Sequence, residues 1–274
     1  MSAPNPAGAS PEALVDLQET LYASRQPTRR YLHRARLDWI TAQIAALAPT
    51  TVAQTAIEVG PGSGVYLPHL LKAFERVTAT DIEDAYLNHA RARLSDEPRL
   101  TLTADDITDS RLPADAFDLL LCSEVIEHIP ADRAADAIRG MARRLRPGGV
   151  LILSTPQPWS PLELACKAAL KRPLIWLARA VYREPVLPTG HINLMPIARV
   201  QASLRDAGLV EEHTHATGVY LPLLAELLPG PALTFARWLE PRLLRGPGRG
   251  LLWTQYHVYR KPAATATSQA TPPD

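Results

Sequence analysis

Short apolar runs alternate along the middle of the chain with stretches of helical spacing. Thr55 to Val59, Val77 to Thr80, Phe117 to Cys122 and Val150 to Ser154 read as strands, the last two in the continuous apolar form of strands buried on both faces. Leu100 to Ala104 alternates leucine with threonine and reads as a further strand. Between these lie helical patterns over Val65 to Phe74, Ala85 to Leu94 and Ala131 to Leu145, the last ending in the stop Arg146-Pro147-Gly148-Gly149. Strands that alternate with helices predict an α/β fold around a parallel sheet. Further on, Met195 to Ala207 predicts a helix, and Val210 to Ala216 and Leu251 to Tyr259 predict alternating strands.

Ahead of the first strand, Leu14, Leu17 and Leu21 fall at helical spacing within residues 12–24. A second helix is expected from Thr28, read as its N-cap, to about Leu47, with Leu32, Ala35, Trp39, Ile40, Ile44 and Leu47 on one face. Arg29, Arg30, Arg34 and Arg36 make its first half basic. The leading reading is a solvated face; the alternative is a cap that touches a cofactor or an acidic substrate.

The turn after the first strand carries the chemistry. Glu58 closes the strand, and Gly60, Gly62 and Gly64 follow at alternate positions before a helix that has Pro68 in its first turn. Strand, glycine turn and helix form a nucleotide-binding crossover. A dinucleotide site requires G-x-G-x-x-G, but Val65 stands where the third glycine belongs, and Glu58 would repel a pyrophosphate. A carboxylate there suits a ligand with a cationic head. Asp81, 21 residues past Gly60 at the end of the second strand, is placed to bind ribose hydroxyls.

The pattern E-x-G-x-G-x-G resembles the first motif of the class I S-adenosylmethionine methyltransferases. Phe117-Asp118 with Glu124-Val125-Ile126-Glu127-His128, and Leu145-Arg146-Pro147-Gly148-Gly149 before the fifth strand, resemble further motifs of that family. The subgroup most similar is the small-molecule enzymes of the ubiquinone-pathway O-methyltransferase kind. The resemblance covers about residues 55–156 and implies a Rossmann-like, seven-stranded, mostly parallel sheet of order 3-2-1-4-5-7-6 with helices on both faces. It implies S-adenosylmethionine as cofactor. Glu58 would act toward the methionine ammonium, and Asp106, ahead of Asp105, toward the adenine amino group. The expected cofactor shell is Glu58, Gly60, Gly62, Gly64, Asp81, Ile82, Asp106, Ile107 and Ser123.

Transfer to a hydroxyl needs a base near neutral pKa. His128 is the first choice, the alternative being a histidine that caps a helix or supports its neighbours, and the catalytic set expected is His128, Glu127 and His191. Glu124, Glu127 and His128 also form E-x-x-E-H, with Glu124 one helical turn from Glu127 or His128 and so on one face with them, a pattern similar to the metal ligands of small-RNA 2′-O-methyltransferases, with His191 as a later partner. No metal ligand is assigned; a divalent metal is the alternative. The function expected is methyl transfer to a small-molecule or lipid-like acceptor, at oxygen. The competing readings are a non-catalytic cofactor-binding module and a metal-assisted RNA 2′-O-methyltransferase.

Composition adds boundaries. The 274 residues carry a net charge of +1, which gives no global pull toward nucleic acid. The charge is uneven: residues 1–50 carry +1, 51–155 carry −5 and 156–274 carry +5. Cys122 and Cys166 make no disulfide framework, and residues 1–10 lack the features of a signal peptide, so the expected location is cytoplasmic. Residues 1–11 and 261–274 read as disordered tails, 12–50 as a helical cap and 51–260 as the methyltransferase domain, with helical insertions at 159–190 and 218–250. Trp159 to Arg183 holds five basic residues against Glu163, among leucines and Trp176; Thr234 to Gly250 holds four arginines against Glu240, with Phe235 and Trp238. Both insertions leave the carboxyl edge of the sheet and are expected to roof the site. Their basic, apolar character also suits an anionic lipid-like substrate or peripheral contact with the inner face of a membrane.

Overall fold

The computed structural model describes residues 20–47, 55–169 and 190–263. The tail at 1–11, most of the helix expected at 12–24 and most of the first insertion, residues 170–189, lie outside the described residues. Strands β1 (Thr55–Val59), β2 (Arg76–Asp81), β3 (Leu100–Ala104), β4 (Phe117–Ser123), β5 (Leu145–Pro156), β6 (Val210–Thr217) and β7 (Thr254–Arg260) form one sheet. Their order is β3-β2-β1-β4-β5-β7-β6, with β7 antiparallel to both its neighbours and the other pairings parallel. This is the order that the resemblance implies.

The central strands are apolar throughout because both sheet faces are covered. Ile57, Leu120 and Leu151 point into one core with Ile138 and Met141 of α4 (Ala134–Arg144) and Val200 and Leu204 of α6 (Ile197–Asp206). Their neighbours Ala56, Leu119, Leu121 and Ile152 point to the opposite core. There they meet Ile40 and Ile44 of α1 (Pro27–Leu47) and Leu67 and Leu70 of α2 (Leu67–Ala73). The period of two places consecutive residues in different cores. The helix α3 (Asp84–Arg93) covers the outer strands through Leu87 and Ala90.

The connections of the C-terminal half enter at the carboxyl edge. Pro156 ends β5 and Thr217 ends β6, and both pair with Thr254, the first residue of β7. From that edge α5 (Pro161–Ala169), α7 (Pro222–Leu227) and α8 (Pro229–Arg245) emerge. Leu32 of α1, Tyr220, Ala225, Ala232 and Trp253 form a small core that ties α7 and α8 to the N-terminal helix. Arg29 pairs with Glu226 at 3.2 Å, and the Tyr31 hydroxyl donates to Glu240 at 3.2 Å.

Several boundaries differ from the sequence reading. Thr28 does not cap α1: it lies inside the helix with its hydroxyl buried, and the Gln26 side-chain oxygen accepts the Arg29 N–H instead. Pro27 takes the first turn, where its missing donor costs nothing. The helix α2 begins at Leu67 rather than Val65, because residues 61–66 close turns in which Pro61 and Gly64 accept the amides of Gly64 and Leu67. Lys261, expected in the tail, donates from Nζ to Asp115 Oδ1 and to the carbonyls of Ala142 and Leu145.

Gly140 on α4 packs directly against the backbone at Ile107. A Cβ there would sit 2.0 Å from the Ile107 carbonyl oxygen. Gly140→Ala should lower stability by roughly 1–3 kcal/mol, as overpacking does. Gly230→Ala on α8, where an added Cβ meets nothing within 4 Å, should be neutral or slightly stabilising. Chemical denaturation of both variants checks the pair; equal loss at both sites contradicts the packing argument.

Candidate active site

The ends of β1, β2 and β4 lie side by side. Val59 pairs with Thr80 on one flank and Cys122 on the other, so Glu58, Asp81 and Ser123 lie at one edge. Gly60 bonds back to Thr80 at 2.8 Å and turns with φ of +70°. Glycine is obligatory there twice over: the conformation is left-handed, and a Cβ would stand 2.3 Å from Val125 Cγ2. Gly62 and Gly64 also have positive φ.

Glu58 is 1% exposed, and its Oε2 has no hydrogen-bond partner. Desolvation pushes its carboxyl up to about 8. Asp81 Oδ1 accepts the Glu83 N–H at 2.9 Å, and burial raises this carboxyl to about 6. Ile82 beside it is 56% exposed, a large apolar side chain facing solvent at the edge of the site. Asp106 Oδ1 accepts from the Thr108 amide and hydroxyl at 2.9 and 2.6 Å, while Oδ2 pairs with Arg133 at 3.4 Å. Asp105 instead accepts the Arg111 N–H at 2.8 Å. The Ile107 side chain is buried in the core, so only its backbone is available to a ligand.

Beyond β4 the chain turns sharply. Glu124 has φ of +58°, a conformation seldom taken by residues other than glycine. Its carboxylate pairs with Arg36 of α1 at 2.6 Å and accepts the Ser154 hydroxyl at 3.1 Å; Ser154 in turn contacts Ser123 at 3.0 Å. The basic half of α1 is therefore not uniformly solvated. Arg36 is 8% exposed, and its guanidinium lies 5.7 Å from the Trp253 ring centre. The sequence placed Glu124 on one helical face with Glu127 and His128. The left-handed backbone breaks that face and turns Glu124 toward Arg36.

Glu127, His128 and His191 do come together. One ligating atom from each lies within 4.8 Å of the others, the arrangement of a possible metal site. Glu127 is fully buried, its Oε2 accepts the Thr155 hydroxyl at 2.9 Å, and its Oε1 has no partner. Burial and then the Glu124 charge raise its pKa. The Glu127 carbonyl accepts the amides of Ile192 and Asn193 at 2.9 and 3.0 Å, which fixes His191 beside it. His128 Nδ1 donates to the Gly190 carbonyl at 3.1 Å, and its ring centre is 5.3 Å from that of His191. His128 keeps surface open to solvent; desolvation of its ring and then the nearby His191 lower its pKa.

Comparison with known proteins bears on the same residues. Residues 57–153 match the methyltransferase domain family. Over those residues, and in its sheet order, the chain is similar to a class I methyltransferase domain. It is similar to a ubiquinone biosynthesis O-methyltransferase of Xanthomonas oryzae pv. oryzae, 32% identical over 126 residues that make up 45% of this chain and 50% of the relative. The chain thus spans about half the length of the first curated relatives it matches. Its fold resembles a Haloferax volcanii protein solved in complex with the Trm112 methyltransferase activator. Coverage there is 92% of this chain and 98% of that one, with a TM-score of 0.59 and 18% identity. It also resembles the N-methyltransferase NodS of Bradyrhizobium japonicum, solved with S-adenosyl-L-homocysteine, over 91% of this chain and 98% of that one, with a TM-score of 0.55 and 18% identity.

S-adenosylmethionine is the cofactor that goes with this family, and the methyltransferase domain here fits it on one observation. The buried Glu58 oxygen without a donor is what an ammonium head would complete. Sequence reasoning left Arg36 among solvated arginines and counted Glu163 only as a charge, because their partners lie 88 and 28 residues away.

Glu58 makes stability and cofactor binding depend on pH. Its folded pKa lies above the ordinary 4.5, so this carboxyl costs stability as pH rises from about 4.5 toward 8 in the free protein. A cationic ligand needs the carboxylate, so binding below pH 8 releases a proton. Affinity for S-adenosylmethionine should rise between pH 6 and 7.5 by up to about tenfold per unit, with calorimetric enthalpies that depend on the buffer. Glu58→Gln should flatten the slope. A wild-type affinity independent of pH rules out a protonated Glu58.

Proposed function

We propose that the protein is an S-adenosylmethionine-dependent methyltransferase that acts on a hydroxyl of a small or lipid-like molecule. The observation that carries the reading is the juxtaposition of two sites at one sheet edge: an orphaned buried carboxylate at the glycine turn, and a Glu127–His128–His191 cluster past β4. Glu58, Gly60, Gly62, Asp81 and Asp106 would hold the cofactor, with Ile82 against the adenine. The cofactor brings, when bound, a methyl on a sulfonium centre that already has a good leaving group. What this chain must supply is alignment and a place for the acceptor's proton. His128 and His191 are the groups for the proton, and Glu127 is the carboxylate beside them. The acceptor class rests on the O-methyltransferase relatives, which are similar over part of their length.

One observation favours a second form of the same reaction. The ligating atoms of Glu127, His128 and His191 lie close enough to share a divalent cation, which would acidify a bound hydroxyl. On the metal-free form, His128→Ala should lower turnover about 10²- to 10⁴-fold and leave cofactor affinity nearly unchanged. The assay is formation of S-adenosylhomocysteine with a panel of phenols, catechols and acids. Activity that survives thorough chelation excludes an essential metal. Bound cofactor with no turnover on any acceptor supports a non-catalytic module instead.

The reading extends to where the acceptor comes from. Among the described residues no helix is long and apolar enough to cross a membrane. Yet Leu223, Leu227, Leu228, Phe235 and Trp238 of the α7–α8 segment are exposed, and Arg242 lies 3.9 Å over the Trp238 ring. The acidic residues there point inward, Glu226 to Arg29 and Tyr220, Glu240 to Tyr31 and the Gly218 amide. An apolar stripe followed by outward cations fits the surface of an anionic bilayer. Pelleting with liposomes should require anionic lipid, weaken with salt and fall in a Phe235→Ser/Trp238→Ser variant. Equal recovery in the supernatant with and without anionic vesicles at low salt removes the membrane contact and leaves the helices as a lid.

A further inference from the structure

Glu163 of α5 is 2% exposed and lies beyond residues 57–153, which match the methyltransferase domain family. Both its oxygens are occupied. Oε2 accepts from His191 Nδ1 at 3.1 Å, and Oε1 accepts from Trp253 Nε1 at 3.2 Å. Its own amide is bonded to the Ser160 hydroxyl at 3.3 Å, at the head of the helix. Trp253 immediately precedes β7, so the carboxylate is held between a helix and the sheet.

The geometry points to Glu163 as a positioning residue that fixes the tautomer and ring orientation of His191. A carboxylate can only accept, so in the neutral ring the His191 proton sits on Nδ1 and the lone pair on Nε2. His128 is set the same way by another group that can only accept, the Gly190 carbonyl at 3.1 Å. With both Nδ1 atoms engaged, Nε2 is the nitrogen each ring has left to offer beside Glu127. Two imidazoles that offer lone pairs are what either form of the reaction needs, one taking a proton from an acceptor hydroxyl, the other holding a cation. The role of the cluster rests on the function proposed above. The tautomer does not.

An amide cannot replace the carboxylate here. In Glu163→Gln one oxygen still accepts, but the amino group must face either Trp253 Nε1–H or His191 Nδ1–H, both donors. Relief comes when His191 turns its proton to Nε2. Trp253→Phe removes the second donor and leaves the carboxylate on His191.

Long-range proton–nitrogen NMR on histidine-labelled protein reads the tautomer directly. The His191 signals among the eight histidines are assigned by their loss in His191→Gln. Above the imidazole titration, wild type and Trp253→Phe should show His191 as the Nδ1–H form, and Glu163→Gln should shift it toward Nε2–H. With an acceptor in hand, Glu163→Gln should also lower kcat about 10- to 100-fold at unchanged KM for the cofactor. An Nε2–H tautomer in wild type, or an unaltered tautomer in a folded Glu163→Gln, overturns the proposal. If Glu163→Gln does not fold, the wild-type and Trp253→Phe spectra still decide it. The expected tautomers in a protein that transfers no methyl group would overturn the methyltransferase reading and leave the positioning role intact.

Discussion

Burial of the central strands on both faces is the constraint on which the rest depends. β1 and β4 have their hydrogen bonds taken on both edges and their side chains taken by two cores. An uncompensated charge along their length would cost several kcal/mol. Ionisable groups are tolerated where the strands end and the backbone turns, and Glu58, Asp81, Glu124 and Glu127 all lie at that edge. The same constraint shifts them. Desolvation is the leading cause of the raised carboxyls of Glu58, Asp81 and Glu127, so the feature that forms the sheet also tunes the site.

The carboxylates at this edge fall into two kinds. Glu124 and Glu163 have cationic or strong donor partners from distant segments, Arg36 from the N-terminal helix and His191 with Trp253 from the C-terminal half. Burial alone would raise the Glu163 pKa, but the His191 hydrogen bond and charge and the Trp253 donor bring it below its usual value. Glu58 and Glu127 each keep one buried oxygen without a partner. The paired residues hold neighbouring elements in place; the orphaned ones have unused capacity for a positive group. A catalytic edge needs both kinds, because a free acceptor is useful only if the groups around it cannot collapse onto it.

Local features were legible in the sequence. The period of two in the strands, the glycine spacing, the carboxylate at the end of β1 and the seven-strand order that goes with them are written within windows of a few residues or in motifs of fixed spacing. Features that needed the third dimension were not. Thr28 looked like a cap, yet Gln26 two residues earlier supplies the oxygen. E-x-x-E-H looked like one face of a helix, but the positive φ at Glu124 sends the first carboxylate elsewhere. Arg36 and Glu163 carried no signal, because nothing near them in the chain distinguishes a buried ion pair from a solvated charge.

This division explains why the segments outside the matched residues 57–153 matter to the site. The glycine turn and the E-H segment come from the part of the chain that resembles a family, and they place the orphaned acceptors. The groups that hold the edge in working order come from outside it: Arg36 from residues before β1, and Glu163, His191 and Trp253 from residues after β5. A segment beside the candidate site contributes more than cover when its buried carboxylate, Glu163, bonds a ring of the Glu127–His128–His191 cluster. In this chain the basic composition of the first insertion hides that carboxylate, and the charge that looks least at home there, Glu163, is one that the fold uses.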